Sequence, residues 1–117
     1  MNIEWIQIAA SISEIPFQSN NMCVIDVKDT KITLVNYQNQ LYAIAYKCPH
    51  ASGIMANGFI DGIGNAVCPL HRYKFNIKNG RNTTGEGYYL KTYSVDVNEQ
   101  GVFVALTKQS IWLVFNT

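Results

Sequence analysis

The sequence predicts an all-β fold, either an antiparallel sandwich or a barrel, and three features of the chain support this prediction. Short segments rich in Val, Ile, Tyr and Phe recur along the chain, turn-forming residues separate them, and apolar and polar side chains alternate within several of them. A chain of 117 residues is long enough for one modest core and too short for two. We therefore expect residues 1–117 to form a single domain with one site.

Seven segments are predicted to be strands, at residues 22–27, 31–37, 40–46, 65–68, 90–97, 102–106 and 111–115. The segment at 90–97 illustrates the two-residue period of a strand: Tyr93, Val95 and Val97 alternate with Thr92, Ser94 and Asp96. The residues that mark turns between strands are Asn39, Asp61-Gly62, Asn79-Gly80 and Gln100-Gly101.

The sequence predicts almost no helix. Ser11 and Glu14 have the spacing of a capping box, but Pro16 follows at once, so at most one helical turn is expected. The stretch at 53–64 is rich in Gly and Asn and is predicted to be a loop.

Composition excludes several classes of function. Nine Lys and Arg balance eight Asp and Glu, so a nucleic-acid partner is not expected. No apolar run approaches the roughly 20 residues that span a bilayer, and the first residues lack the pattern of a signal peptide, so we expect no membrane association and a cytoplasmic protein. Three cysteines, an odd number, suit metal ligands with one spare thiol better than a disulfide framework.

The chemistry of the chain is concentrated in two short motifs, C-P-H at positions 48–50 and C-P-L-H at positions 68–71. These motifs contain both histidines of the chain, and each histidine lies close to a cysteine. Such pairing is improbable for unrelated residues, so we predict that Cys48, His50, Cys68 and His71 bind metal.

Two kinds of metal site remain open on this pattern. A single zinc ion also takes two thiolates and two imidazoles, but common zinc motifs place like ligands together. Here each segment offers one sulfur and one nitrogen. Two adjacent loops of this kind can direct both sulfurs to one iron and both imidazoles to the other iron of a [2Fe–2S] cluster. The spacing favours the cluster, and a zinc-stabilised binding module is the alternative.

Over nearly its whole length the sequence resembles the Rieske ferredoxins. The matching positions are the two ligand motifs together with Trp5-Ile6, Glu14-Ile15-Pro16, Phe75, Asn79-Gly80 and the segment at 90–93. The resemblance implies an antiparallel β-sandwich base with an inserted cluster-binding lobe at about residues 46–77. It also implies that Cys48 and Cys68 hold the inner iron, while His50 and His71 hold the outer one.

The resemblance further implies a soluble one-electron carrier that passes electrons from a reductase to an oxygenase or another terminal oxidoreductase. No catalytic activity of its own is expected, because both histidines are used by the cluster and none is left for the mononuclear iron of an oxygenase. The alternative within the same fold is a small subunit of a nitrite reductase-like complex. Neutral imidazoles leave the oxidised cluster uncharged, so it accepts an electron more easily than a cluster with four thiolates.

Several positions depart from the patterns of relatives. Gly53 and Leu70 stand where high-potential Rieske proteins have a disulfide, and Tyr73 replaces a serine that stabilises the reduced cluster. We therefore expect a potential toward the low end of the family range. Arg72 occupies a position that is commonly Gly, and it could be a solvated arginine or a partner contact. The third loop, at 85–89, has no proline to fix its backbone.

Two features lie outside the predicted site. Cys23, in a strand-like segment, is expected to be a small buried hydrophobe rather than a redox group. The apolar tail at 111–115 suits either a last strand or an association surface.

Overall fold

The computed structural model describes residues 3–107, and this part of the chain is almost entirely β-structure. Its ten strands are β1 (Ile3–Ala9), β2 (Met22–Val27), β3 (Thr30–Tyr37), β4 (Gln40–Ala45), β5 (Phe59–Ile60), β6 (Asn65–Val67), β7 (Lys74–Asn76), β8 (Thr92–Tyr93), β9 (Val95–Asn98) and β10 (Gly101–Thr107). Two short 3-10 turns, Ile12–Glu14 and Met55–Asn57, are the only helical elements of the described residues. The all-β prediction is confirmed.

The strands form three antiparallel sheets. The outer sheet has the order β1-β10-β9, the middle sheet β2-β3-β4-β8, and the small sheet β5-β6-β7. The small sheet lies within the predicted lobe at 46–77. Among the described residues, no helix is long and apolar enough to cross a membrane.

The middle sheet is covered on both faces, and this explains a run of buried residues in β3. Ile32, Thr33, Leu34 and Val35 are all buried, although successive side chains of a strand point to opposite faces. Ile32 and Leu34 belong to the outer core, which also contains Ile15, Cys23, Val27, Ala43, Val102 and Val104. Val35 belongs to the site core on the other face, with Met22, Ile44, Cys48, Met55, Ala56, Ala66, Cys68, Phe75, Ile77 and Leu90.

Two tight hairpins join the strands of the middle sheet. Lys28 and Asp29 link β2 to β3, while Gln38 and Asn39 link β3 to β4, and all four have a positive φ between 48° and 66°. Two consecutive left-handed residues are typical of the turns that match the right-handed twist of a hairpin. These turns fix the register that places Met22 and Cys23 on opposite faces of the sheet.

The structure corrects some predicted boundaries. The single strand predicted at 90–97 is two strands in different sheets, because β8 pairs with β4 and β9 pairs with β10. The chain crosses between the sheets at Ser94, whose carbonyl accepts a hydrogen bond from the N–H of Ala105 at 3.0 Å. Strands β1, β5 and β7 were not predicted. The stretch at 53–64 is not only a loop, since it contains one 3-10 turn and β5.

The expected single helical turn is present at Ile12–Glu14, but it is not closed by a capping box. Ser11 makes no side-chain hydrogen bond to the backbone of this turn. Glu14 instead accepts a hydrogen bond from the N–H of Ala10 at 2.8 Å. The apolar tail at 111–115 lies outside the described residues.

Candidate metal centre

The first loop, residues 48–53, follows β4 and presents Cys48 and His50. The N–H of Cys48 donates to the carbonyl of Gly53 at 2.8 Å, and the N–H of Ser52 donates to the carbonyl of Cys48 at 3.0 Å. A bridge between Lys47 and the residue after the loop closes its base. These bonds hold the first loop as a tight hairpin tip.

The second loop, residues 68–73, joins β6 to β7 and presents Cys68 and His71. The N–H of Cys68 donates to the carbonyl of Tyr73 at 2.9 Å. His71 and Arg72 both have left-handed backbones, with φ of 61° and 59°. Glycine is favoured in this conformation, so the geometry explains why a Gly would suit position 72 and why arginine there is strained.

The two loops repeat one construction. In each, the cysteine N–H donates to the carbonyl five residues later, and the residue four positions after the cysteine is left-handed, namely Ser52 and Arg72, each with φ of 59°. Both loops also rise from hairpin-like bases. Two cysteines are thereby presented in equivalent ways from neighbouring loops.

Burial separates the four predicted ligands into two pairs. Cys48 is 2% exposed and Cys68 is 0% exposed, and both are members of the site core. His50 is half-buried and His71 is exposed, with their ring centroids 4.9 Å apart. The structure therefore places the four residues as two pairs on neighbouring loops, with the pair of thiols inside and the pair of imidazoles toward the surface.

The environment of Cys68 is electrostatically unusual. Burial, followed by the neighbouring Cys48 thiol, raises the pKa of Cys68 to about 11, while a hydrogen bond from the backbone of Leu70 opposes the rise. A free thiol here would stay protonated at neutral pH. Coordination to a metal ion reverses this preference, because a coordinating thiol is deprotonated by the charge of the ion.

One buried atom indicates that a group belongs between the loops. Nδ1 of His50 is buried and has no hydrogen-bond partner among the described residues. Leaving a buried polar atom unpaired costs about 1–3 kcal/mol, so native structures rarely do it without a reason. A metal ion at this nitrogen would supply the missing partner. The residues present therefore fit an iron–sulfur group.

The pairing of the donor side chains matches a two-iron cluster. The thiols of Cys48 and Cys68 are neighbours, and the rings of His50 and His71 lie 4.9 Å apart. A structural zinc site needs its four donors around one centre. A [2Fe–2S] cluster instead needs two donors at each iron, and the pair of thiols and the pair of imidazoles match that division.

The predicted third loop at 85–89 is part of a longer segment, residues 82–89, which begins at a bridge between Asn82 and Phe75 of β7. We call this whole segment the third loop, and Asn82 organises it. Its Nδ2 donates to the carbonyl of Lys74, to Oγ1 of Thr84 and to Oε1 of Glu86, each at 3.0 Å. Its Oδ1 accepts from the N–H of Gly87 at 3.1 Å and from that of Glu86. A side-chain amide thus holds a loop that has no proline. No local sequence pattern predicts this role of Asn82.

Glu86 and two tyrosines complete the surroundings of the histidines. The hydrogen bond from Thr84 and a further bond from Asn82 keep the pKa of Glu86 below its usual value, although desolvation opposes them, and interaction with His50 adds to the effect. The ring of Tyr73 lies 4.0 Å from that of His50, and the ring of Tyr88 lies 5.4 Å from it. The rings of Tyr73 and Tyr88 therefore both lie against the ring of His50.

Gly53 and Leu70, which differ from the high-potential relatives, lie next to each other beside Cys68. A Cβ built on Gly53 would be 3.1 Å from Cγ of Leu70 and 3.1 Å from Sγ of Cys68. These two positions therefore face each other beside the candidate ligand, and neither offers a thiol. Cys23 is buried in the outer core, on the opposite face of the middle sheet, as the sequence predicted.

Comparison with known proteins agrees with this site. Residues 4–94 match the family model described as the Rieske [2Fe-2S] domain. A 3-phenylpropionate/cinnamic acid dioxygenase ferredoxin subunit of Escherichia coli is 32% identical over 76 residues, which are 64% of this chain and 72% of that protein. The corresponding subunit of Photorhabdus laumondii is 24% identical over 79 residues, which are 67% of this chain and 75% of that protein.

Two solved structures are similar in fold. The ferredoxin of carbazole 1,9a-dioxygenase from Nocardioides aromaticivorans has a TM-score of 0.73 and 21% identity, over 89% of this chain and 98% of that one. A putative NADH-dependent nitrite reductase small subunit from Mycobacterium tuberculosis has a TM-score of 0.77 and 15% identity, over 92% of this chain and 98% of that one. The family match extends over most of the described residues. This chain therefore belongs to the Rieske family, and it is a one-electron carrier that binds a [2Fe–2S] cluster.

Proposed function

We propose that Cys48 and Cys68 hold the inner iron of the cluster, and that His50 and His71 hold the outer iron. The observation that supports this assignment is the division of the four side chains into a buried pair of thiols and an outer pair of imidazoles. The cluster supplies reversible one-electron chemistry when bound. Electrons enter and leave at the imidazole edge, because His71 is exposed and shortens the path to a partner.

The surrounding residues protect this arrangement. The two backbone hydrogen bonds that close the loops, at Cys48 and Cys68, hold the thiols in place before metal arrives. Tyr73 and Tyr88 exclude water from one face of His50. The carrier therefore needs little rearrangement on gaining an electron, which favours rapid transfer.

The partners follow from the function of similar proteins. The relatives from Escherichia coli and Photorhabdus laumondii are ferredoxin subunits of a dioxygenase. One similar structure is a complex of oxygenase and ferredoxin in carbazole 1,9a-dioxygenase. By analogy, this chain receives electrons from a reductase and delivers them to a terminal oxygenase, with no catalytic activity of its own.

The domain organisation and cellular location are part of the same proposal. Residues 1–117 form a single domain, with the cluster-binding lobe at about 46–77 inserted in the β-sandwich base. The proposed ligands Cys48 and Cys68 have to stay reduced until the cluster is inserted, and the reducing cytoplasm meets this need.

Metal analysis of the purified protein tests the ligand assignment. Anaerobically purified protein should contain about two irons and two acid-labile sulfides per chain, and Cys48→Ser or Cys68→Ser should abolish cluster assembly. Cys23→Ser is the matched control, because that thiol lies in the outer core, and it should retain the iron. Wild-type iron content in either of the first two variants would refute the assignment. One zinc per chain without sulfide would favour the zinc-stabilised module instead.

The histidine ligands need a separate measurement. Pulsed EPR of the reduced protein should show couplings to two imidazole nitrogens, and His50→Ala and His71→Ala should each lose one of the two couplings or fail to assemble the cluster. A cluster with unchanged nitrogen couplings in both variants would show that other residues hold the outer iron.

A second candidate function is a fixed subunit of a nitrite reductase-like complex, which the likeness in fold to such a subunit favours. Affinity purification of the tagged chain from its native cells separates the two functions. A mobile carrier should elute alone at moderate salt. A fixed subunit should elute in a stoichiometric complex with a larger protein.

A further inference from the structure

We propose that Arg72 selects the redox partner of this protein, by docking an acidic surface of that partner against the exposed edge of His71. This inference rests on the proposed function, in which electrons pass through the imidazole edge. It assigns the choice of partner to one residue of the second loop.

The backbone at Arg72 is the first observation. Its φ of 59° lies in the left-handed region, which costs a residue with a Cβ about 1–2 kcal/mol relative to glycine. Such strain is retained at functional sites more often than elsewhere. Within the described residues 3–107, Arg72 makes no hydrogen bond or ion pair that would offset this cost.

The charge of Arg72 is therefore available to another molecule. The acidic group of the neighbouring third loop, Glu86, is held by Thr84 and Asn82 and interacts electrostatically with His50 rather than with Arg72. Asp61, another acid of the lobe, pairs with Lys74 at 3.8 Å. The guanidinium next to His71 remains an unneutralised, exposed cation.

Two large exposed side chains lie close to the histidines. Leu70 is 44% exposed and precedes His71 in the second loop, and Tyr88 is 40% exposed and contacts His50. Tyrosine and arginine are enriched among the residues that dominate the energy of protein interfaces. We define Leu70, His71, Arg72 and Tyr88 as the docking patch.

The charge of the patch identifies its partner. The chain as a whole carries a formal net charge of only +1, so long-range attraction to any polyanion is weak. A single cation beside the electron exit acts locally, and it favours a partner whose own redox centre is bordered by Asp or Glu. An arginine fork also suits bidentate contact with a carboxylate.

Two small redox probes of opposite charge test the role of Arg72 without knowledge of the partner. The reduced holoprotein is oxidised in a stopped-flow instrument by ferricyanide, a trivalent anion, and separately by hexaammineruthenium(III), a trivalent cation. Loss of the cation in Arg72→Gln should slow the anionic probe about threefold to tenfold at low ionic strength and accelerate the cationic probe by a similar factor. Both effects should shrink as salt is added.

Three further variants separate charge from structure. Arg72→Gly also removes the cation and relieves the backbone, so it should behave like Arg72→Gln toward both probes. Arg72→Lys keeps the charge and should restore rates near those of the wild type. Lys78→Gln removes one positive charge beside β4 and β8, away from the ligand loops, and should leave the ratio of the two rates unchanged.

The outcomes distinguish this inference from the proposed function. A wild-type rate ratio in both Arg72→Gln and Arg72→Gly would overturn the role of Arg72, even if electron transfer itself is fast. An equal change in Lys78→Gln would also overturn it, because net charge alone would then explain the effect. Failure of the reduced wild type to react with either probe would instead refute electron exit at the imidazole edge.

Discussion

Asn82→Ala should loosen the third loop and expose the cluster. The side chain of Asn82 donates hydrogen bonds to Lys74, Thr84 and Glu86, and it accepts bonds from the backbone of Glu86 and Gly87. Such bonds contribute about 0.5–1.5 kcal/mol each, and partial exposure places these at the lower end. Since the amide group has only two protons for its three acceptors, we count two donated and two accepted bonds, which together stabilise the closed loop by about 2 kcal/mol.

The free energy lost in Asn82→Ala predicts how much faster the cluster should be lost. If cluster loss proceeds through opening of the third loop, a change of about 2 kcal/mol raises the open population roughly 30-fold. The decay of the visible absorbance of the cluster in aerated buffer should accelerate by a similar factor, while the iron content of fresh anaerobic protein stays near that of the wild type.

A matched control is available at the far turn between β9 and β10. Asn98 makes comparable bonds there, donating to Asp96 at 2.9 Å and accepting from the N–H of Gln100 at 2.8 Å. Asn98→Ala should lower the midpoint of urea unfolding slightly without changing the decay of the cluster. Equal decay rates in Asn82→Ala and the wild type would refute the idea that Asn82 protects the site.

Three other outcomes are expected. Because Gly53 and Leu70 face each other without thiols and Tyr73 replaces the serine of high-potential relatives, the midpoint potential at pH 7 should lie below zero, and a voltammetric value above about +150 mV would contradict this. Gly53→Ala brings a Cβ to 3.1 Å from Sγ of Cys68 and should lower the iron content, whereas Gly62→Ala meets no atom within 4 Å and should leave iron analysis unchanged. Burial pushes the pKa of Asp61 upward, but backbone hydrogen bonds within its own turn bring it below the usual value. The folded state is therefore stabilised by ionised Asp61 above about pH 4, and this stability is lost as the pH falls through the lowered pKa. Urea unfolding should show a lower free energy of unfolding for Asp61→Asn than for the wild type at pH 7, and this difference should decrease in acid. A difference that does not change with pH would attribute the loss of stability to packing.

Strands β2, β3 and β4, and the place of the four candidate ligands in two neighbouring loops, could be predicted because their signals are local. Strands β2, β3 and β4 lie within one residue of their predicted bounds, and short turns bracket them. The ligand motifs each fit within four residues. Burial of β3 on both faces did not weaken the prediction, because a run of apolar and β-branched residues favours a strand in any case.

The missed features depend on contacts between distant segments. β1 pairs with β10, and its exposed face carries Ile3 and Trp5, so apolar residues on both faces hide the alternation. β5 and β7 have two and three residues, too few for a period. The break at Ser94 arises because one extended segment serves two sheets. The role of Asn82 depends on a hydrogen bond across eight residues to the backbone of Lys74, which no local pattern encodes.

The two faces of the middle sheet should respond differently to the loss of metal. Its outer face packs against Val102 and Val104 through a core that contains none of the candidate ligands, whereas its other face packs around Cys48 and Cys68. We expect the outer core to keep its packing when the metal is removed, because none of the candidate ligands contributes to it, and slow amide hydrogen exchange should then persist in β3 and β10.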